Sequence, residues 1–75
     1  MVKIKLNSET AVEFVKLMNS LPYDVNFYDG HIQFDAKSLM AIMALDFRKE
    51  FRVEAVIDDA QEYEKFLHTL NTFKI

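Results

Sequence analysis

An α+β fold, an open-faced four-stranded antiparallel sheet with three helices on one face in the order β-α-β-β-α-β-α, is what this sequence predicts. Three observations carry the prediction. Four short segments alternate apolar and polar side chains at period two, which gives each strand a dry face and a wet face and the sheet cover on one side only. Two other segments repeat apolar residues at i, i+3, i+4 and i+7, the stripe of a helix packed on such a sheet. The dipeptide Asp29-Gly30 joins two of the alternating segments and is a turn signal matched to strand twist.

Val2, Ile4 and Leu6 alternate with Lys3 and Lys5, which predicts a first strand over 2–6. Asn7 and Ser8 are cap-type residues with Glu9 just inside, and Ala11, Phe14, Val15 and Met18 form the stripe of a helix over about 9–20, stopped by Pro22. Tyr23, Val25 and Phe27 alternate with Asp24, Asn26 and Tyr28, and after the turn Ile32 and Phe34 alternate with Gln33 and Asp35; this is a hairpin. Residues 39–45 are uncharged, end at Asp46, and are too rich in Met, Ala and Leu for a strand. With Asp35 or Ser38 able to cap them, they read as a short helix. Phe51, Val53, Ala55 and Ile57 alternate with Arg52, Glu54 and Val56 in a fourth strand. Asp59 to Glu62 has capping-box spacing, and Tyr63, Phe66, Leu67 and Leu70, continued by Phe73, stripe the last helix.

The length of 75 residues suits one domain, 1–75, because two cores of half that size would not offset chain entropy. The chain has no Cys, which excludes disulfides and thiolate metal sites and leads to the expectation of a reducing, cytoplasmic compartment. An apolar fraction of 51% fits a domain held together by core area alone. Nine basic against twelve acidic side chains give a net charge of -3, the wrong sign for condensing on phosphate backbones, so no nucleic acid is expected. No apolar run approaches the roughly 18 residues of a membrane span, and Lys3 and Lys5 break any signal-peptide core, so no membrane insertion is expected. One Gly and one Pro exclude a Walker loop and a dinucleotide fingerprint, and no cofactor is expected.

Few side chains invite chemistry. His31 follows the hairpin turn and His68 lies one helical turn after Glu64; no third donor is spaced with them, so they read as exposed polar positions and not as metal ligands. Asp58, Asp59, Glu62 and Glu64 could be imagined as a cation site, but helix capping and the macrodipole account for them. Tyr23, Phe27, Phe34, Phe51 and Phe66 fall on inward phases and read as core, with Tyr28 on the outward phase. The informative stretch is 39–45. A short helix buries one stripe, so Leu39, Met40, Ile42, Met43 and Leu45 cannot all face the sheet. Either neighbouring loops cover the remainder, or exposed Met and Leu form a partner surface to which flexible thioethers are suited.

The segment Ala36-Lys37-Ser38-Leu39-Met40-Ala41-Ile42-Met43-Ala44-Leu45, preceded by Asp29-Gly30 and a short strand, resembles the second-helix region of HPr, the histidine-containing phosphocarrier of the bacterial sugar phosphotransferase system. Ala11-Val12-Glu13-Phe14-Val15-Lys16 resembles that family's first helix. Element order, spacing and length agree over nearly the whole chain, which implies the HPr-like open-faced β-sandwich. Periodicity alone leaves a ferredoxin-like split βαβ with an added helix open as well.

In the family a loop of the form Gly-(Ile/Leu)-His-(Ala/Thr)-Arg-Pro-Ala precedes the first helix. Its His takes a phosphoryl group from the phosphoenolpyruvate-dependent first enzyme, and the helix N-terminus and the Arg stabilise that group. Aligned on the first helix, the resemblance places Asn7 at the His, Glu9 at the Arg and Thr10 at the Pro. Asn has no comparable nucleophilic nitrogen and Glu9 repels phosphate, so no catalytic residue is expected. The single Gly and Pro, at 30 and 22, also lie away from such a loop. The expectation is therefore a regulatory or protein-binding HPr-like protein, not an enzyme. Two alternatives remain: a phosphocarrier with a different acceptor, and a ferredoxin-like ligand-binding or assembly module. Ser38 matches a position that an ATP-dependent kinase phosphorylates in HPr of many Gram-positive bacteria; from the sequence alone it reads first as a helix cap. The resemblance also implies a protein partner docked on the short second helix through Leu39, Met40, Met43 and Phe47.

Overall fold

The four alternating segments pair into one sheet in the computed structural model, which describes residues 1–75. The elements are β1 (Val2–Ile4), α1 (Ser8–Asn19), β2 (Val25–Asp29), β3 (Ile32–Asp35), α2 (Leu39–Met43), β4 (Phe51–Ala55) and α3 (Ala60–Thr69), followed by a 3₁₀ turn over Leu70–Thr72. The sheet order is β1-β4-β2-β3, with all neighbours antiparallel. β1 pairs with β4 alone and lies at an edge, as in the HPr-like sandwich. The ferredoxin-like alternative, which needs β1 inside the sheet, is excluded.

Period two explains the register. Phe27 opposes Phe34 on one side and Val53 on the other, and Val2 opposes Val53, so the apolar phases of the strands meet on one face. The opposite face carries Lys3, Asn26, Tyr28, Gln33, Asp35, Arg52 and Glu54. Against the apolar face lie Ala11, Phe14, Val15 and Met18 of α1, Ile42 of α2 and Phe66 of α3. All 17 buried residues are apolar, so no buried polar group needs compensation. The ring of Phe14 is central: it meets Phe27 at 5.7 Å and Phe73 at 5.5 Å between centroids, both edge-on, the arrangement favoured by ring quadrupoles. Each such buried side chain contributes about 1.5–3 kcal/mol through burial.

Local hydrogen bonding moves several boundaries from their predicted places. β1 ends at Ile4 instead of residue 6 because the chain there turns to the C-terminus: the Lys5 N–H donates to the Phe73 carbonyl at 3.0 Å, and the Ile75 N–H donates to the Lys3 carbonyl at 3.2 Å. α2 stops at Met43, short of the predicted 45, where Asp46 Oδ1 accepts the Arg48 N–H at 3.0 Å and sets a turn. Residues 44–47 therefore lie outside the helix. Asp59 caps α3 by accepting the Gln61 N–H, but Glu62 leans toward Lys65 at 3.7 Å and does not reach back to close a capping box. Tyr23 and Phe34, predicted in the core, are half-buried at its margin, where Tyr23 packs edge-on against Phe66 at 6.1 Å. Ile32 has the inward phase yet is 60% exposed, because β3 is the outer strand, away from most of the helical cover. Gly30, with φ of 60°, is the first of the two turn residues between β2 and β3, a position of positive φ that glycine takes without a Cβ clash.

Candidate functional site

Asn7 is the N-cap of α1. Its Oδ1 accepts the N–H groups of Glu9 and Thr10, each at 2.9 Å, and Thr10 Oγ1 accepts the Asn7 N–H at 2.8 Å. The sequence Asn-Ser-Glu-Thr produces this box because a carboxamide oxygen reaches the N2 and N3 donors, and a hydroxyl at N3 reaches back. Two of the donors that could face an anion at this helix end, the Glu9 and Thr10 N–H groups, are used by the side chain of Asn7, and the exposed Glu9 carboxylate stands beside them. His31 and His68, the two imidazoles of the chain, are exposed on the hairpin turn and on α3.

Ser38 begins α2. Its Oγ accepts the Ala41 N–H at 3.4 Å, so of the two predicted caps it is Ser38 that serves, while Asp35 Oδ1 accepts the Lys37 N–H at 2.9 Å. The five residues of α2 allow one inward position, and Ile42 takes it, fully buried. Leu39, Met40 and Met43 are 47%, 87% and 39% exposed, so no loop covers them. Phe47 does not share this exposure. It is half-buried and packs on the core, because the turn at Asp46 carries it off the helix and back toward the sheet domain.

Beside this surface α1 and α2 form a groove of about 380 Å³, lined by Val12, Val15, Lys16, Asn19, Lys37 and Leu39. Asn19 holds its end together: Nδ2 donates to the Val15 carbonyl at 2.9 Å and to the Lys37 carbonyl at 3.0 Å, while Lys37 Nζ reaches the Leu21 carbonyl at 3.0 Å. Sequence reading missed this groove, since its residues come from α1, α2 and the turn before α2, and only a polar Asn in the last turn of α1 hinted at a cross-link. Next to α2, the Arg48 guanidinium grips Asp46 through two hydrogen bonds of 3.0 and 2.9 Å. These, with the Arg48 N–H, hold its carboxyl down at about 2. No group of three or more His, Asp or Glu side chains is placed to hold a metal ion, and no helix is long and apolar enough to cross a membrane.

Comparison with known proteins agrees with this architecture. The model of the phosphotransferase-system HPr component phosphorylation site matches residues 3–73. Among solved structures the chain is similar to the Bacillus subtilis catabolite repression protein Crh, with 28% identity and a TM-score of 0.61 over 91% of this chain and 80% of that one. The crystal structure of that relative revealed a swapped domain in an intertwined dimer. No curated protein matches the chain significantly. With the sheet order, the helices on one face and a family match over nearly the full length in agreement, the chain belongs to the HPr family of phosphocarrier proteins of the phosphotransferase system.

Proposed function

We propose that this chain is a regulatory or protein-binding member of the HPr family that docks its partner on α2 and does not carry a phosphoryl group on histidine. The observation that carries the reading is the exposure of Leu39, Met40 and Met43 together on one short helix whose inward face is already satisfied by Ile42. Apolar side chains gathered on an otherwise charged surface stabilise association by burial, and thioethers adapt to a partner's contour.

The start of α1 supports the second half of the reading. Asn7 stands where the family resemblance puts the phospho-His and Glu9 where it puts the Arg; the Asn7 carboxamide occupies the Glu9 and Thr10 N–H donors of the helix end. A phosphoryl dianion there would meet a carboxylate in place of a guanidinium. Incubation with the first enzyme of the phosphotransferase system and phosphoenolpyruvate tests this. No acid-labile adduct is the expected result; an adduct on His31 or His68 would establish instead a carrier with a displaced acceptor.

Ser38 is the candidate switch on the docking surface. Its hydroxyl sits at the edge of the Leu39, Met40 and Met43 patch, and a phosphate there would add negative charge beside apolar contacts. Treatment with HPr kinase and ATP is expected to label the wild type and not Ser38→Ala. Absence of label on the wild type reduces Ser38 to a cap.

A further inference from the structure

The two edges of the sheet are finished differently. At β1 the C-terminal residues close the edge through the Lys5 to Phe73 and Ile75 to Lys3 hydrogen bonds and a bridge between Ile4 and Lys74. At the other edge β3 is bonded to β2 alone. The Ala36 N–H donates to the Val25 carbonyl at 3.1 Å, in the same register as Phe27 opposite Phe34, so the even-numbered residues of β3 point their backbone groups at β2. Those of Gln33 therefore point outward, a template for a further strand. The same edge carries Ile32, 60% exposed.

We propose that β3 pairs with β3 of a second copy of this chain, antiparallel about a two-fold axis at Gln33, so that the two sheets join edge to edge. Only odd-numbered residues turn backbone groups outward, so odd must oppose odd. With the axis at Gln33, that residue opposes its own copy, and the His31 imidazole, on the turn just before β3, comes beside Asp35 of the second copy, once on each side of the axis. On the other face Ile32 opposes Phe34 twice. The edge is thus complementary to itself in hydrogen bonding and in apolar surface, as an isologous contact requires. Asp35 Oδ1 is taken by the Lys37 N–H, leaving Oδ2 for the imidazole, and the Asp35 carbonyl already accepts the Ser38 N–H, so the new ladder is bounded there. Moving the axis to Ile32 or Phe34 loses both imidazole–carboxylate pairs. A foreign strand has no reason to supply this pattern; a second copy supplies it by symmetry.

Such a contact is small and reversible, so association is followed in the wild type by amide shifts from dilute solution up to about 1 mM. Residues 31–35 are expected to shift with concentration, and Gln33→Pro, which removes an outward N–H without touching the β2 ladder, is expected to abolish the shifts. Register is read by cross-linking, since the chain has no native Cys. In Gln33→Cys the two sulfur-bearing residues face each other at about 5.5 Å between Cα atoms, whereas in His31→Cys they lie about 14 Å apart along the ladder. Oxidation at high protein concentration is therefore expected to give dimer at least roughly tenfold faster for Gln33→Cys than for His31→Cys or the exposed control Met40→Cys. Equal rates in all three, no concentration-dependent shifts in the wild type, or shifts confined to β1 or α2 would overturn the proposal.

Discussion

Asn7 and Thr10 satisfy each other at the start of α1, the Asn7 Oδ1 accepting the Thr10 N–H at 2.9 Å and the Thr10 Oγ1 accepting the Asn7 N–H at 2.8 Å. The residue that the family resemblance aligns with a phosphoryl acceptor is thereby a structural cap. Asn7→Ala is expected to lower stability by about 1 kcal/mol, and Asn7→Asp to leave it nearly unchanged, measured by urea unfolding. A neutral Asn7→Ala would show that α1 does not depend on this box.

The two sides of α2 should respond oppositely. Ile42→Ala opens a cavity in the core and is expected to cost about 2–4 kcal/mol. Met40→Lys, at the most exposed apolar position of the helix, is expected to stay within about 0.5 kcal/mol of wild type. Denaturant midpoints of the two variants check the assignment of inward and outward faces. A large loss from Met40→Lys would mean that the side chain is covered.

Phe14 joins α1 to the sheet through Phe27 and to the chain end through Phe73. Phe14→Ala is expected to cost about 3–5 kcal/mol, close to the whole stability of a domain this small. Loss of amide dispersion in the NMR spectrum reads this directly, and Phe14→Leu should keep the fold with a lowered midpoint.

Asp46 offers the pH prediction. The Arg48 side-chain hydrogen bonds, then its backbone N–H, lower the Asp46 pKa from 3.8 to about 2. Because the native value lies below the ordinary one, its contribution is complete above pH 4 and is lost as pH falls through about 2. The carboxyl is solvent-exposed, so the effect on global stability is small. A carbon-detected NMR titration should find Asp46 among the lowest carboxyls, and Arg48→Ala should return it toward the ordinary range.

Gly30 has φ of 60° with nothing near enough to touch an added Cβ. Gly30→Ala is therefore expected to cost about 1–2 kcal/mol from backbone conformation alone. Gly30→Asn should cost less, since Asn visits that region more readily. Thermal midpoints of the two variants separate the effects.

Hydrophobic period by itself determined which segments are strands and helices, which phase of each faces inward, and that α2 carries more apolar side chains than one stripe can bury. These are local properties, set by which neighbours share a face. Tertiary structure decided the remainder. That β1 lies at an edge and β4 inside follows from long-range pairing, which separates the HPr-like sandwich from the ferredoxin-like order with identical elements. That Phe47 turns back to the core while Met40 stands in solvent depends on a turn at Asp46 that no periodicity records. The exposure of Ile32 has the same origin: its inward phase was legible in the residues, but burial also needs an element above it, and the outer strand has little.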